Sequence, residues 1–256
     1  MYKFSAIYSK ELRSYFQSVT AYVTISVFLV LSGYFFWSIF RYYNFLSFQY
    51  DKGQYGGEML NLIEGVMRPL LGNLSIILLL VMPLLTMRLL AEEKKQGTFE
   101  LLLTYPVSDA AAIAGKFLAA LTVFACMIAG TLLYPILLVI FADPELGPIL
   151  TGYLGIMLVG CTFISIGIFF SSLTSNQLVA GVMTFGFALL ILIIGWAAPY
   201  ADQPMATILE QLSLLEHSDS FAKGVIDLKD VSYYLFMTGF FLFLTLKSLE
   251  STRWRS

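Results

Sequence analysis

One histidine, two cysteines and a Gly-Lys pair are the side chains of this sequence best suited to chemistry. His217 would serve a serine hydrolase as general base, but no nucleophilic serine is placed in the apolar runs to pair with it. A solvated surface histidine is expected instead. Cys126 and Cys161 lie inside apolar runs with no Cys or His nearby, so each is expected to be a buried hydrophobe rather than half of a disulfide or metal pair. Gly115-Lys116-Phe117 ends like a phosphate loop, yet Phe117 stands where Ser or Thr must follow, and Ala110 stands where the leading glycine belongs. Lys116 is therefore expected to be an interfacial anchor at the start of an apolar helix. The ten methionines, Met82, Met87, Met127, Met157 and Met183 among them, have no paired spacing and read as packing rather than metal transport. No catalytic, cofactor or metal site emerges.

The elements around these residues explain why. The chain is 58% hydrophobic and 12% charged, with mean hydropathy +0.79. A soluble domain carries roughly 25% charged residues, so this is an integral membrane protein. The net charge of −2 gives no sign of a nucleic-acid partner. No ionisable residue falls in the middle of an apolar run, which excludes proton or ion coupling through intramembrane carboxylates. Sodium held by the carbonyls of broken helices stays open. The run from Ala21 is too long for a signal peptide and lacks a cleavage site.

Hydropathy and charge place six spans at about 20–40, 69–88, 112–141, 149–171, 178–199 and 231–249. The uncharged stretch between Glu145 and Asp202 is too long for one crossing, and Ser171-Ser-Leu-Thr-Ser-Asn-Gln177 divides it in two. Residues 1–18 read as an interfacial amphipathic helix. Phe4, Ile7, Tyr8, Leu12, Tyr15 and Phe16 form its apolar face, and Lys3, Lys10 and Arg13 its basic side. With both termini cytoplasmic, ten basic residues lie inside (Lys3, Lys10, Arg13, Arg88, Lys94, Lys95, Lys116, Lys247, Arg253, Arg255) and five outside. Pro83 and Pro135 are expected to kink their helices, and Gly152, Gly155, Gly160, Gly167, Gly181, Gly186 and Gly195 to allow close helix approach. The outer segment after Pro199 should hold an amphipathic piece with Leu209, Leu212 and Leu215 turned inward.

The densest charge cluster, Glu92-Glu-Lys-Lys95, sits between the second and third spans. Gly97 should end the helix before it, Thr98 should cap a new one through its hydroxyl oxygen, and Ser108 should cap the next. Glu100 falls in the first turn of that new helix and Leu101, Leu102 and Leu103 give it an apolar face. A short amphipathic coupling helix pinned between two spans is well placed to receive force from something docked beneath it.

The same stretch, Glu92-Glu-Lys-Lys-Gln-Gly-Thr-Phe-Glu-Leu-Leu-Leu-Thr-Tyr-Pro-Val-Ser108, resembles the loop after the second span of ABC-2 type permeases, most closely the gliding-motility-associated permeases. A second matching segment runs from Phe221 to Leu235 and on to Leu249-Glu250, so the resemblance covers most of the chain. It implies one ABC-2 type transmembrane domain over residues 1–256, all helical, in a bacterial inner membrane. It implies a non-catalytic permease subunit of an ATP-driven export complex, with two copies of an ABC ATPase and a second permease subunit as partners. ATP and Mg would be bound by the ATPase, with no cofactor in this chain. Glu92, Glu93, Lys94, Lys95, Gly97, Thr98, Phe99, Glu100 and Leu101 would form the docking site for that ATPase. In the resembled subgroup a periplasmic-domain membrane protein works alongside. Two alternatives stay open: a component that relays ATPase motion to a periplasmic or motility partner, and the permease of a metalloenzyme maturation system, which shares the Leu-Leu-Leu-Thr-Tyr-Pro run.

Overall fold

The computed structural model describes residues 2–51, 61–98, 108–142 and 144–253, and among these there are helices and turns but no strand. In order they are α1 (Tyr2–Gln17), α2 (Val19–Asp51), a π-helical turn (Ile63–Met67) and α3 (Arg68–Thr86). Next come α4 (Ala91–Lys95), α5 (Asp109–Thr131), α6 (Leu133–Ala142), α7 (Leu146–Leu173) and α8 (Gln177–Ile193). A 3₁₀ segment (Ile194–Tyr200), α9 (Met205–Leu212), α10 (Leu214–Ala222) and α11 (Leu228–Arg253) complete the described chain. Among the described residues six helical stretches are long and apolar enough to cross a membrane: Val19–Gln49, Ile63–Lys95, Asp109–Phe141, Leu146–Leu173, Gln177–Tyr200 and Leu228–Ser251.

Most boundaries follow from local chemistry. Asn176 caps α8 by accepting from Leu178 N–H at 3.0 Å, so the Ser/Thr-rich break does divide the long uncharged stretch. Ser108 caps α5 through Ala111 N–H. Pro135 cannot donate to the carbonyl of Thr131, and α5 ends there. The freed Thr131 oxygen accepts instead from Tyr153 Oη at 2.9 Å, which satisfies a buried acceptor across the bundle. The helix of the second span, by contrast, continues through Pro83. The first span runs further than hydropathy suggests. At 33 residues α2 is about 50 Å long, well beyond a hydrocarbon core of about 30 Å, and carries Arg41 within it.

α3 and α7 are the buried centre of the bundle, and α2, α8 and α11 turn most of their surface outward. Small residues on α7 permit this. A Cβ on Gly160 would overlap the Phe124 ring of α5, and one on Gly167 would overlap Thr86 of α3. Gly186 has open space beside it, so close approach is not its role.

Four expectations about side chains are corrected by the fold. Cys126 is exposed on the outer face of α5, where only the surroundings of a membrane span, not packing, keep it apolar. The outer amphipathic piece is two helices, broken where Ser213 caps α10, so Leu214 is buried while Leu212 is exposed. His217 is not solvated. It is 4% exposed, with Nδ1 at 2.7 Å from Asp230 Oδ1, Nε2 at 3.1 Å from Gln211 O, and its ring stacked on Tyr233. It ties α9 and α10 to the start of α11. Lys116 is the fourth, and belongs to the site below.

Polar groups gather at the two ends of the bundle. At the end holding α9 and α10, Arg68 donates through Nε and Nη2 to Asp219 Oδ1, and Lys223 pairs with Oδ2. Partial burial pushes the Asp219 carboxyl up, but the hydrogen bonds and charges of Lys223 and Arg68 outweigh it and hold the group below its ordinary value. A carboxyl that titrates lower when folded adds stability above its unfolded value of about 3.9, and the gain is lost as pH falls through the lower folded value. The melting temperature of the detergent-solubilised protein should therefore exceed that of Asp219→Asn by the most near neutral pH. The gap should close in acid below about pH 4. Asp219 is 36% exposed, so the gap stays small. A gap that does not change with pH would disconnect the carboxylate charge from stability.

Candidate coupling site

At the opposite end of the bundle five elements meet around α4. The helix begins directly after α3, where the chain turns at Met87–Leu90, and it is held by side chains from other helices rather than by its own length. Ser171, at the end of α7 and fully buried, does most of this. Its hydroxyl accepts from the backbone N–H groups of Leu90 and Ala91, both at 3.0 Å, and donates to Met87 O at 3.0 Å. The first amides of a helix have no intrahelical acceptor, so a hydroxyl from another span here acts as a cap supplied from a distance. Lys94 Nζ reaches the carbonyl of the next residue, Ser172, and Ser172 Oγ donates to Ser248 of α11 at 3.1 Å.

Lys116 of α5 holds the other side. It is 1% exposed and its ammonium meets three acceptors: Glu11 Oε1 of α1 at 2.9 Å, Glu93 Oε1 of α4 at 2.9 Å and Leu89 O at 2.8 Å. Three N–H donors with three acceptors leave nothing unpaired on the cation, which is the condition for a buried charge to be tolerated. Lys10 adds a second cation 3.6 Å from Glu93. This is a structural junction, not an anchor to the interface.

α1 reaches Lys116 because the start of α5 is built from small residues. Ala112 and Ala119 are buried there, and Gly115 lets Ile7 and the Tyr8 backbone approach closely. Tyr8 Oη pairs with Thr122 Oγ1 at 3.0 Å, and Tyr15 donates to Leu85 O at 2.9 Å. Burial, reinforced by Glu11 and opposed by Arg88, pushes the Tyr15 phenol above its ordinary value, so the hydroxyl remains a donor. The amphipathic α1 thus packs its apolar face along α5, and Glu11 stands on that face.

The residues expected to receive a partner divide between two faces. Glu93 and Lys94 point into the bundle, whereas Lys95, Gln96, Gly97 and Thr98 are exposed and Glu92 lies between. Gly97 ends α4 with φ +69°, the left-handed conformation that glycine adopts without strain. The Thr98 hydroxyl donates back to Glu93 O at 3.3 Å, and the helix it is expected to cap lies outside the described residues. Phe99, Glu100 and Leu101 lie outside the described residues, as does the apolar face from Leu101 to Leu103. Sequence reasoning missed the role of Ser171 and the pairing of Glu11 with Lys116, which it placed as an interfacial anchor. Glu11, the one carboxylate among the bases of residues 1–18, was the signal available.

No group of three or more His, Cys, Asp or Glu side chains that could hold a metal occurs among the described residues. What the arrangement offers is mechanical: its contacts join α4 to α1, α5 and α7 at once. Six apolar helices with a polar junction at one end define a multi-pass helical membrane protein. The sequence model of the ABC-2 family transporter proteins matches residues 5–246, and the chain belongs to that family. No curated protein matches the chain.

Proposed function

We propose that this chain is the membrane-spanning permease subunit of an ATP-driven ABC-2 export complex, of the gliding-motility-associated kind. A separate ABC ATPase, which binds ATP and Mg, docks on the exposed side of α4 and the stretch from Glu92 to Leu101. Two permease chains and two ATPases form the complex in a bacterial inner membrane, and both termini face the cytoplasm. The supporting observation is the junction itself. α4 is tied to three other helices on one side, while Lys95, Gln96, Gly97 and Thr98 are left open on the other. A helix of five residues has little stability alone, so this much anchoring fits a part that must carry load. The exposed apolar surfaces of α2, α8 and α11 leave room for a second permease chain beside lipid.

The docking face is tested by a substitution that does not depend on knowing the partner's charge. Lys95→Glu combined with Gln96→Trp adds bulk and reverses charge where side chains face outward. Thermal unfolding of the permease should stay within about 0.5 kcal/mol of the unmodified protein, as surface changes do. Co-purification of the partner ATPase should fall at least tenfold. Undiminished co-purification would move the docking site elsewhere.

A further inference from the structure

A cavity of about 410 Å³ lies between α1, the start of α2, the end of α3 and α4, within the roughly 300–1,000 Å³ that small-ligand sites occupy. Its charged lining is balanced, with Lys10, Arg88 and Lys116 against Glu11, Glu92 and Glu93. Most of these are already engaged, because Lys116 and Lys10 hold Glu11 and Glu93. Arg88 is different. It makes one hydrogen bond, Nη1 to Ser18 Oγ at 3.1 Å, and no ion pair among the described residues. Its Nε is buried without a partner among the described residues, and so is Glu93 Oε2. Buried polar atoms are nearly always paired, and a guanidinium offers five N–H donors in a fork suited to a phosphate. Two residues of the lining, one cationic and one anionic, thus hold polar atoms that the described residues leave unpaired.

The apolar lining says what meets them. Leu84 lines the cavity and is 45% exposed, and Leu80 (53%) and Ile76 (45%) continue from it at four-residue spacing. They form one row along the outside of a span that is otherwise largely buried. Such a row lies among acyl chains, and the cavity at its foot lies at headgroup level. We propose that the cavity binds the headgroup of an aminophospholipid, with its acyl chains along Leu84, Leu80 and Ile76. The phosphate sits against Arg88 and Ser18, and the primary ammonium donates to Glu93 and Glu92. A choline headgroup has no N–H to donate, and a glycerol headgroup has no cation, so each meets only half of the site.

The full chain, purified in detergent and stripped of lipid, is titrated with dihexanoyl phosphatidylethanolamine, phosphatidylcholine and phosphatidylglycerol, and with free phosphoethanolamine. Melting temperature and lipid retained in native mass spectrometry are read together. The ethanolamine lipid should bind about tenfold tighter than either other lipid, the scale of one charge-assisted hydrogen bond. Arg88→Gln, which removes the partner of the phosphate common to all three, should weaken each of them about tenfold and leave the preference in place. The preference should vanish in Ser14→Trp, which narrows the cavity from an exposed position and leaves Arg88 in place. Equal affinity for the three lipids, a preference that survives Ser14→Trp, or unchanged binding of all three in Arg88→Gln overturns the proposal. Free phosphoethanolamine binding as tightly as the lipid overturns it too, assigning the cavity to a soluble phosphate ester.

Discussion

Replacing Lys116 with methionine is expected to cost roughly 3–5 kcal/mol, enough to lower the melting temperature sharply or prevent accumulation of the protein. The reason is what remains behind. Glu11 and Glu93 would keep their largely buried carboxylates with Lys10, 3.6 Å from Glu93, as the remaining ion pair among the described residues. Leu89 O would also lose its donor. Removing one member of a buried ionic group is far more damaging than replacing the group as a whole, because the latter leaves no charge uncompensated. The triple variant Lys116→Met, Glu11→Leu, Glu93→Gln should therefore recover most of the lost stability. Thermal unfolding of the two variants separates the cases. If Lys116→Met alone melts like the unmodified protein, the junction is not held by this charge. If the triple variant stays as unstable as the single one, the space around Lys116 matters and its charge does not.

How much of this could be read from the sequence depends on the distance over which each signal acts. The six spans, the break before Asn176, the cap at Ser108 and the turn at Gly97 are local, written within a few residues of where they act. Lys116 looked like an interfacial anchor because a lone lysine at the start of an apolar helix usually is one. Its partners Glu11 and Glu93 stand 105 and 23 residues away, and only tertiary packing brings them together. His217 failed in the same way, since Asp230 and Tyr233 reach it from the next span. The leucines of the outer segment failed for a different reason. Helical spacing was carried through Ser213, where the chain stops one helix and caps another, and this shifted the buried face from Leu212 to Leu214. The second span's attachment was also invisible, because a serine at the end of an apolar run gives no hint of which amides it will meet.

That serine supplies the other large effect. Ser171→Ala should orphan the N–H groups of Leu90 and Ala91 at roughly 1–3 kcal/mol for each donor left unpaired. The permease should still fold, since the core of α3 and α7 is untouched, but α4 would no longer be capped by α7. ATPase binding should persist, because the exposed residues from Lys95 to Thr98 are unchanged. Transmission should not persist. With Cys126 and Cys161 replaced by alanine and a spin label at Val225→Cys, which is exposed at the far end of the bundle, the distance between copies reports motion there. In the otherwise unmodified complex this distance should shift when an ATP analogue binds, and in Ser171→Ala the shift should shrink or disappear while hydrolysis continues. Ser171→Thr, which keeps the hydroxyl, should restore it in part, limited by the added methyl in a fully buried position. An unaltered shift in Ser171→Ala would mean that force reaches the far end through Lys116 and α5 alone, and that the tie between α4 and α7 serves only stability.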